Sequence, residues 1–376
     1  MSLHIFMSAG EASGDMSAAA LAEAIRAIVP DVQFEGIGAE RMRSAGFRLH
    51  SDAHGWSSMG PAAALGKVPG LFLTMWRHAV ALRGHSVDVV VLVDFGAFNL
   101  RLAKTLRLIG YRGPVVYYFP PGAWMDRYKQ AHAVARWTRP LTAFRHQRDY
   151  YRWLGLDIAF FGHPLVSLVA PRPPRPPPPS DGGCVALLPG SRRDEVRRHL
   201  ERLVAAFTVL RARRPRLRGL IAAANAETEE LIAQRAFASE ALQVVRGAGP
   251  ALDAADAAWI ASGTAVLEAA LREVPTVALY VVAPSEIEVG RRMWHGPYIT
   301  LPNILLGKEV VPELLQDAAT PERLATELEL LLADPFRQQA NMRDLRSGLG
   351  APDALQRCAQ FVVAVARAEP PPPSLL

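Results

Sequence analysis

Three glycine-containing loops and one isolated acid hold the residues whose types and spacing suit chemistry. In SAGEASGD (8–15), Gly10 and Gly14 would let the backbone turn tightly and approach a ligand, and a helix starting there would offer unpaired N–H groups to an anion. The spacing is neither a dinucleotide fingerprint nor a P-loop. Ser13 or Asp15 suits a helix N-cap, whereas Glu11 is a carboxylate in a loop well placed to meet substrate. LLPGSRRDE (187–195) has the same form. Gly190 and Ser191 open a helix whose first turn would face a phosphate, and Arg192 adds a guanidinium fork suited to a diphosphate. Asp194 and Glu195 are first-turn acids, which a helix start favours. In ASGTAVLEAAL (261–271), Thr264 and Glu268 lie one turn apart on one face, and a Glu there can accept ribose hydroxyl hydrogen bonds. Three such loops point to a nucleotide. Asp94 ends the run VVVLVD, and an ionised side chain at the end of a buried strand needs a partner or a task. It is the first candidate general base, with a cap for the helix near Phe98 as the other reading. His163 in FGHP could also take a proton, although a His before Pro is commonly a turn residue.

The elements that must position these residues alternate between strand and helix. LHIFMSA (3–9), VQFEGIG, VDVVVLVDF (87–95) and GPVVYYF (113–119) read as strands. Helical spacing runs through Leu21, Ile25 and Ile28, and another helix spans 98–109. CVALLP (184–189), GLIAAAN (219–225), LQVVRG (242–247), AAWIAS (257–262) and TVALYVV (276–282) repeat the pattern. Alternation of this kind predicts α/β architecture: two doubly wound parallel sheets, with ligands in a cleft at their carboxyl ends. Between the halves lies PRPPRPPPP (171–179), which lacks backbone donors and reads as a semi-rigid linker. The expected division is a domain over 1–170, a linker over 171–180, a domain over 181–350, and a helix with a Pro-rich tail over 351–376.

Composition narrows the partners. The 376 residues are 50% apolar and 21% charged, the balance of folded domains and not of disorder. Cys184 and Cys358 are the only cysteines, too few for a disulfide framework and without metal-site spacing. The N-terminus does not read as a signal peptide, and no apolar run reaches the ~18 residues of a membrane span. A cytoplasmic protein, soluble or peripheral, is expected. The net charge of +6 lies wholly in the first part, where residues 1–170 hold 18 basic and 12 acidic side chains. That bias suggests an anionic partner or a solvated basic face. Nucleic acid is disfavoured, since the basic residues are not interleaved with aromatics and no recognition motif occurs. Within residues 65–82, Leu71, Phe72, Met75, Trp76, Ala79 and Leu82 form an apolar stripe at helical spacing with Lys67, Arg77 and Arg83 nearby. Such a stripe suits either a core or a membrane surface.

SAGEASGD, VDFGAFN, YYFPPGAW, FGHPL, LLPGSRRDEV, ASGTAVLEAAL and LPNILLGKEVVPELLQ stand in the order and approximate spacing of the lipid A disaccharide synthase family. The resemblance runs from about residue 4 to about 345. It implies a glycosyltransferase of GT-B architecture, with two Rossmann-like domains and an interdomain cleft. The implied reaction joins UDP-2,3-diacylglucosamine to 2,3-diacylglucosamine 1-phosphate through a β(1→6) bond, inverting the donor's anomeric centre and releasing UDP without a bound metal or other cofactor. Carried over by position, Asp94 would be the essential acid, with Glu11 and Ser13 on the acceptor side. Gly190, Ser191 and Arg192 would hold the diphosphate; Ser262, Gly263, Thr264 and Glu268 would bind the nucleotide; Asn303 and Gln316 would complete the donor pocket. The inner face of the inner membrane is the implied location, and a homodimer is compatible with it. Two blocks depart from the family pattern. IDAPDFN appears as VDFGAFN, with Ala97 in place of the second acid, and SPSVWAWR appears as PPGAWMDR, keeping Trp124 and Arg127. Two other readings therefore stay open: a related transferase or epimerase with a different substrate, and a catalytically silent UDP- or lipid-binding relative.

Overall fold

A computed structural model describes residues 2–53, 56, 61–122, 127–173, 175–235, 239–284, 286–288 and 296–375, with backbone alone over 61–68. The chain forms two compact units, residues 1–167 with 349–376, and residues 168–348. In the first, β1 (His4–Ala9), α1 (Ala12–Ile28), β2 (Gln33–Gly38), α2 (Glu40–Ser44), β3 (Arg48–Asp52), α3 (Pro61–Gly84), β4 (Val89–Val93), α4 (Gly96–Leu108), β5 (Val115–Tyr118), α5 (Tyr128–Trp137), β6 (Arg139–Thr142), α6 (Arg145–Trp153) and β7 (Ala159–Phe160) follow one another. The strands pair in parallel in the order β3-β2-β1-β4-β5-β6-β7. The central strands are apolar on both faces because helices cover both. Val89, Val91 and Val93 join Ile5, Met7 and α1 in one core, while Val90 and Leu92 join Phe6, α3 and α4 in the other.

After α7 (Leu165–Leu168), the second unit runs through β8 (Cys184–Leu188), α8 (Arg193–Arg213), β9 (Arg218–Ala223), α9 (Ala226–Ala233), β10 (Leu242–Arg246), α10 (Ala248–Ala254), β11 (Ala257–Ala261), α11 (Thr264–Leu271), β12 (Thr276–Tyr280), α12 (Leu301–Leu306), β13 (Glu313–Leu315) and α13 (Pro321–Ala333). Its parallel sheet has the order β10-β9-β8-β11-β12-β13. Trp259 is fully buried at its centre and donates its indole N–H to Leu324 O at 2.9 Å. In each sheet two adjacent strands, β1 and β4 or β8 and β11, send the chain to opposite sides, which creates a topological switch point at their carboxyl ends.

The proline run is held to the second unit. Arg172 donates to Leu252 O (3.0 Å) and Ala255 O, and Arg175 to Asp253 O (2.7 Å), so both cations sit on the carbonyl end of α10. α14 (Phe336–Leu349) leads to α15 (Ala354–Arg367), whose Leu355, Cys358, Ala359 and Val362 complete the core that contains α1. The tail then covers the sheet edge at β7: Leu375 N donates to Phe160 O (2.9 Å) and Phe160 N donates to Ser374 Oγ (3.0 Å).

Two buried histidines report on this packing. His163 is enclosed between Phe119 and Phe144, and its Nδ1 accepts from Leu165 N at 3.2 Å. It is a turn residue, with burial holding its pKa down at about 3. Burial, with the charges of His50 and Arg77, lowers His78 to about 4. Both stay neutral while the unfolded chain takes up protons below about pH 6.5, so stability is lost as pH falls through that window, at up to about 1.4 kcal/mol per pH unit for each histidine. Urea denaturation at pH 7.0 and 4.5 should show a lower midpoint at pH 4.5. His163→Asn keeps an acceptor and removes the titration, and it should shrink that difference.

Candidate active site

At the end of β4 the chain makes an uncommon turn. Asp94 and Phe95 both adopt left-handed backbone, with φ of 49° and 48°, at a cost on the order of 1–3 kcal/mol each for non-glycine residues. Hydrogen bonds fix it. Asp94 N donates to Tyr118 O at 3.0 Å, and Asp94 O accepts from Asn99 Nδ2 (2.9 Å) and Tyr117 Oη (3.0 Å). Asn99, with no exposed surface, also donates to Ser8 O (3.1 Å) and Val93 O (3.0 Å), and its Oδ1 accepts from Ser8 Oγ (2.7 Å). Its amide thus joins the ends of β1 and β4. The half-buried Asp94 carboxylate stands at the switch point of the first sheet.

Of the two glycines in the segment after β1, Gly10 is closely approached by another part of the protein and Gly14 has room for a Cβ. A Cβ on Gly10 would overlap the Phe95 ring, and one on Gly96 would lie 2.6 Å from Pro121 Cβ. At Gly14 a Cβ would lie 3.8 Å from Asp94 Cβ, so the first turn of α1 rests beside that residue. Glu11, and neither Ser13 nor Asp15, occupies the N-cap position of α1, with no side-chain cap bond. Glu11 and Ser13 are half-buried, at the end of a strand whose Ala9 pairs with Val93. Asp15 is buried and accepts from the N–H groups of Ala39, Arg41 and Met42 at 2.7, 2.8 and 3.3 Å. Its carboxylate caps α2. Trp124 lies outside the described residues, and so does the Lys67 side chain.

The second sheet presents its loops at its own switch point, where Leu188 of β8 pairs with Ile260 of β11. Gly190 has φ 120° and no room for a Cβ, because the Glu195 side chain folds over it. Glu195 accepts from Ser191 N (3.1 Å), Arg192 N (3.3 Å) and Arg192 Nη1 (2.8 Å). The donors suited to a diphosphate thus surround a carboxylate of the protein itself. His199, buried in α8, accepts from Val281 N at 3.0 Å and lies 2.9 Å from Pro189 O, which fixes the proton on Nδ1 and ties β8 to the end of β12. Burial lowers its pKa.

Ser262 and Gly263 follow β11, and Thr264 begins α11. Gly263 is exposed, has extended backbone, and would meet nothing within 4 Å if given a Cβ. Glu268 lies one turn beyond Thr264, with Oε2 3.6 Å from Arg272 Nη1. Asn303 departs from expectation. It is fully buried, with Nδ2 donating to Val311 O and Glu313 Oε1 (2.8 Å each) and Oδ1 accepting from Val310 N (2.7 Å) and Val311 N (2.8 Å). Its donors and acceptors are all committed inside the protein, where they hold the segment before β13 to α12. Glu313, which the motifs did not single out, accepts from Ile299 N, Thr300 N and Thr300 Oγ1 at 2.9, 2.9 and 2.7 Å. The same loop meets Ser262 Oγ, 3.5 Å from Ile299 O. Gln316 sits in left-handed backbone (φ 51°) with Oε1 3.4 Å from Val282 N. Among the described residues, no group of three or more His, Cys, Asp or Glu side chains is placed to hold a metal ion.

Comparison with known proteins follows from this arrangement. The family model described as lipid-A-disaccharide synthetase matches residues 5–362. The chain is 38% identical to the lipid-A-disaccharide synthase of Myxococcus xanthus over 372 residues, covering 96% of each chain, and 34% identical to that of Syntrophus aciditrophicus, covering 94% and 96%. Among solved structures it resembles MurG of Acinetobacter baumannii (TM-score 0.53, 17% identity, 96% and 99% covered). It also resembles a putative UDP-N-acetylglucosamine 2-epimerase of Listeria monocytogenes (TM-score 0.62, 11% identity, 100% of each). At these identities the structural likeness establishes the GT-B-like fold of two parallel-sheet α/β domains.

The two glycines of the second unit should behave oppositely. Gly190→Ala puts a methyl group into Glu195 and an unfavourable φ, and should lower thermal stability by several degrees, or ~1–3 kcal/mol. Gly263→Ala should leave the melting temperature unchanged. Differential scanning fluorimetry of the two variants checks both.

Proposed function

We propose, from the premise that this chain belongs to the lipid-A-disaccharide synthetase family and is a glycosyltransferase of lipid A disaccharide formation, that it transfers 2,3-diacylglucosamine from UDP to the 6-hydroxyl of 2,3-diacylglucosamine 1-phosphate with inversion. The observation that carries this reading is Asp94, a carboxylate held in strained backbone at the switch point of the first sheet. Asp94 takes the proton of the acceptor 6-hydroxyl as its oxygen attacks the anomeric carbon; the bond from that carbon to the phosphate oxygen breaks, and UDP leaves with both electrons. In-line attack turns the α-linked donor into a β(1→6) product. Glu11 and Ser13, at the start of α1 just beyond the neighbouring strand, orient the acceptor.

The second unit holds the donor. Its diphosphate competes with Glu195 for the N–H groups of Ser191 and Arg192 and for the Arg192 guanidinium, and the N-terminus of α8 adds its dipole. These groups offset the charge that develops on the leaving diphosphate, and no divalent cation enters the scheme. Glu268 accepts from the ribose hydroxyls, with Ser262, Gly263 and Thr264 lining the nucleotide and Gln316 the sugar side. Asn303 acts through the loop it holds. With both substrates in detergent micelles, the enzyme should release one UDP per disaccharide, and the product's anomeric proton coupling should be that of a β linkage. UDP release only with another acylated acceptor, or tight UDP binding without turnover, would overturn the assignment of substrates.

The reading places the enzyme at an anionic membrane surface, as a peripheral protein on the cytoplasmic face of the inner membrane. No helix of the described residues is long and apolar enough to cross a membrane. The apolar stripe of α3 divides in two. Met75, Ala79 and Leu82 are core and Leu71 packs against it, whereas Phe72 and Trp76 are 59 and 46% exposed, and Leu73 and Val80, outside the stripe, add 57 and 49% exposed side chains beside the exposed Arg77 and Arg83. Such a face suits insertion among acyl chains with its cations at the headgroups. Replacing Phe72, Leu73, Trp76 and Val80 together with Ser should reduce sedimentation with phosphatidylglycerol vesicles at least tenfold. Unchanged sedimentation would remove α3 as the contact.

A further inference from the structure

The Asn99 amide lies across the point where β1, β4 and α4 meet, and every polar atom it has is used there. Nδ2 has two hydrogens facing three carbonyls, those of Ser8, Val93 and Asp94, at 3.1, 3.0 and 2.9 Å, and Oδ1 takes the Ser8 hydroxyl proton at 2.7 Å. The ring of acceptors around Nδ2 fixes the amide orientation. Asn99 is the fourth residue of α4, and its side chain reaches back to the strand ends. The Asp94 carbonyl it holds belongs to a residue in left-handed backbone followed by a second such residue, and a carboxylate on such a turn keeps its direction only while the turn is over-determined. Other restraints on the turn include the Tyr117 hydroxyl on the same carbonyl, Tyr118 O on the Asp94 N–H, and the Phe98 and Asn99 N–H groups on Phe95 O.

The geometry points to Asn99 as a positioning residue for the glycosyl transfer, acting through Asp94, with Ser8 and Tyr117 in support. This rests on the reading of Asp94 as the base. Asn99 touches neither substrate; its amide sets where the Asp94 carboxylate stands relative to the acceptor hydroxyl. A side chain needed only for folding would change stability and leave the catalytic rate of the folded fraction alone. A positioning residue changes kcat and not nucleotide binding, and its effect disappears when the group it positions is already removed.

A double-mutant cycle on the full chain separates these. Asn99→Ala should lower kcat by about 100-fold with the affinity for UDP within about twofold of the parent. Tyr117→Phe and Ser8→Ala, which each delete one hydroxyl from the cluster, should lower it by about three- to tenfold. In an Asp94→Asn background, Asn99→Ala should cost nothing further. If Asn99→Ala does not fold, Tyr117→Phe and Ser8→Ala in the two backgrounds decide the matter by the same comparison. Equal losses in both backgrounds, or parental kcat in the folded variants, would overturn the proposal while an inactive Asp94→Asn leaves the base reading standing. A fully active Asp94→Asn would remove the base reading, and the proposal with it.

Discussion

Where β1 and β4 part at the carboxyl edge of the first sheet, the carbonyls of Ser8, Val93 and Asp94 converge on one buried amide, that of Asn99. Buried backbone acceptors must be met by something, and a side chain from the next helix meets these. The consequence spreads outward. Asp94 and Phe95 can hold a left-handed turn because their neighbours are pinned, Phe95 can then lay its ring over Gly10, and Gly96 can accept Pro121. The loops after β1, β4 and β5 are thereby packed into one surface around Asp94. The strain of the turn is offset by satisfied hydrogen bonds together with the packing of the Phe95 ring on Gly10, Trp56 and Phe98.

The second unit solves the same problem with carboxylates. Glu195 gathers the loop after β8, and Glu313 gathers the loop before α12 together with Asn303. His199 links the ends of β8 and β12 as a neutral, doubly bonded ring. In the proposed reaction, Glu195 also makes diphosphate binding an exchange of one anion for another. That exchange keeps the loop formed in the absence of donor and subtracts from the affinity that the N–H groups alone would give.

The strands with continuous apolar runs were legible in the sequence because burial on both faces leaves no polar residue to interrupt them: β1, β4, β5, β8, β11 and β12 lie where the residues placed them. β3 (RLHSD), β6 (RPLT), β7 and β13 were missed. They are edge or near-edge strands of two to five residues, half-exposed or broken by proline, with no period to read. Asp94 stood out by type and place, but nothing in the sequence marked Asn99 as its restraint: the bonds to Val93 O and Asp94 O are local, yet they depend on a left-handed turn that has no sequence signal and on Ser8, 91 residues away. Gly10 and Gly14 were legible as special, but only the fold shows that the Phe95 ring lies over Gly10 and the Asp94 side chain beside Gly14. The internal partners of Asn303 were hidden for the same reason. A motif residue looks the same whether it faces a ligand or a carbonyl eight residues on.

The proposed reaction divides the labour between an acid in the first unit and loops in the second that would bind the diphosphate. Steady-state turnover and UDP titration calorimetry on Asp94→Asn test it most directly. The account predicts turnover reduced at least a thousandfold with UDP affinity unchanged. Retained turnover, or UDP binding lost together with it, would contradict it.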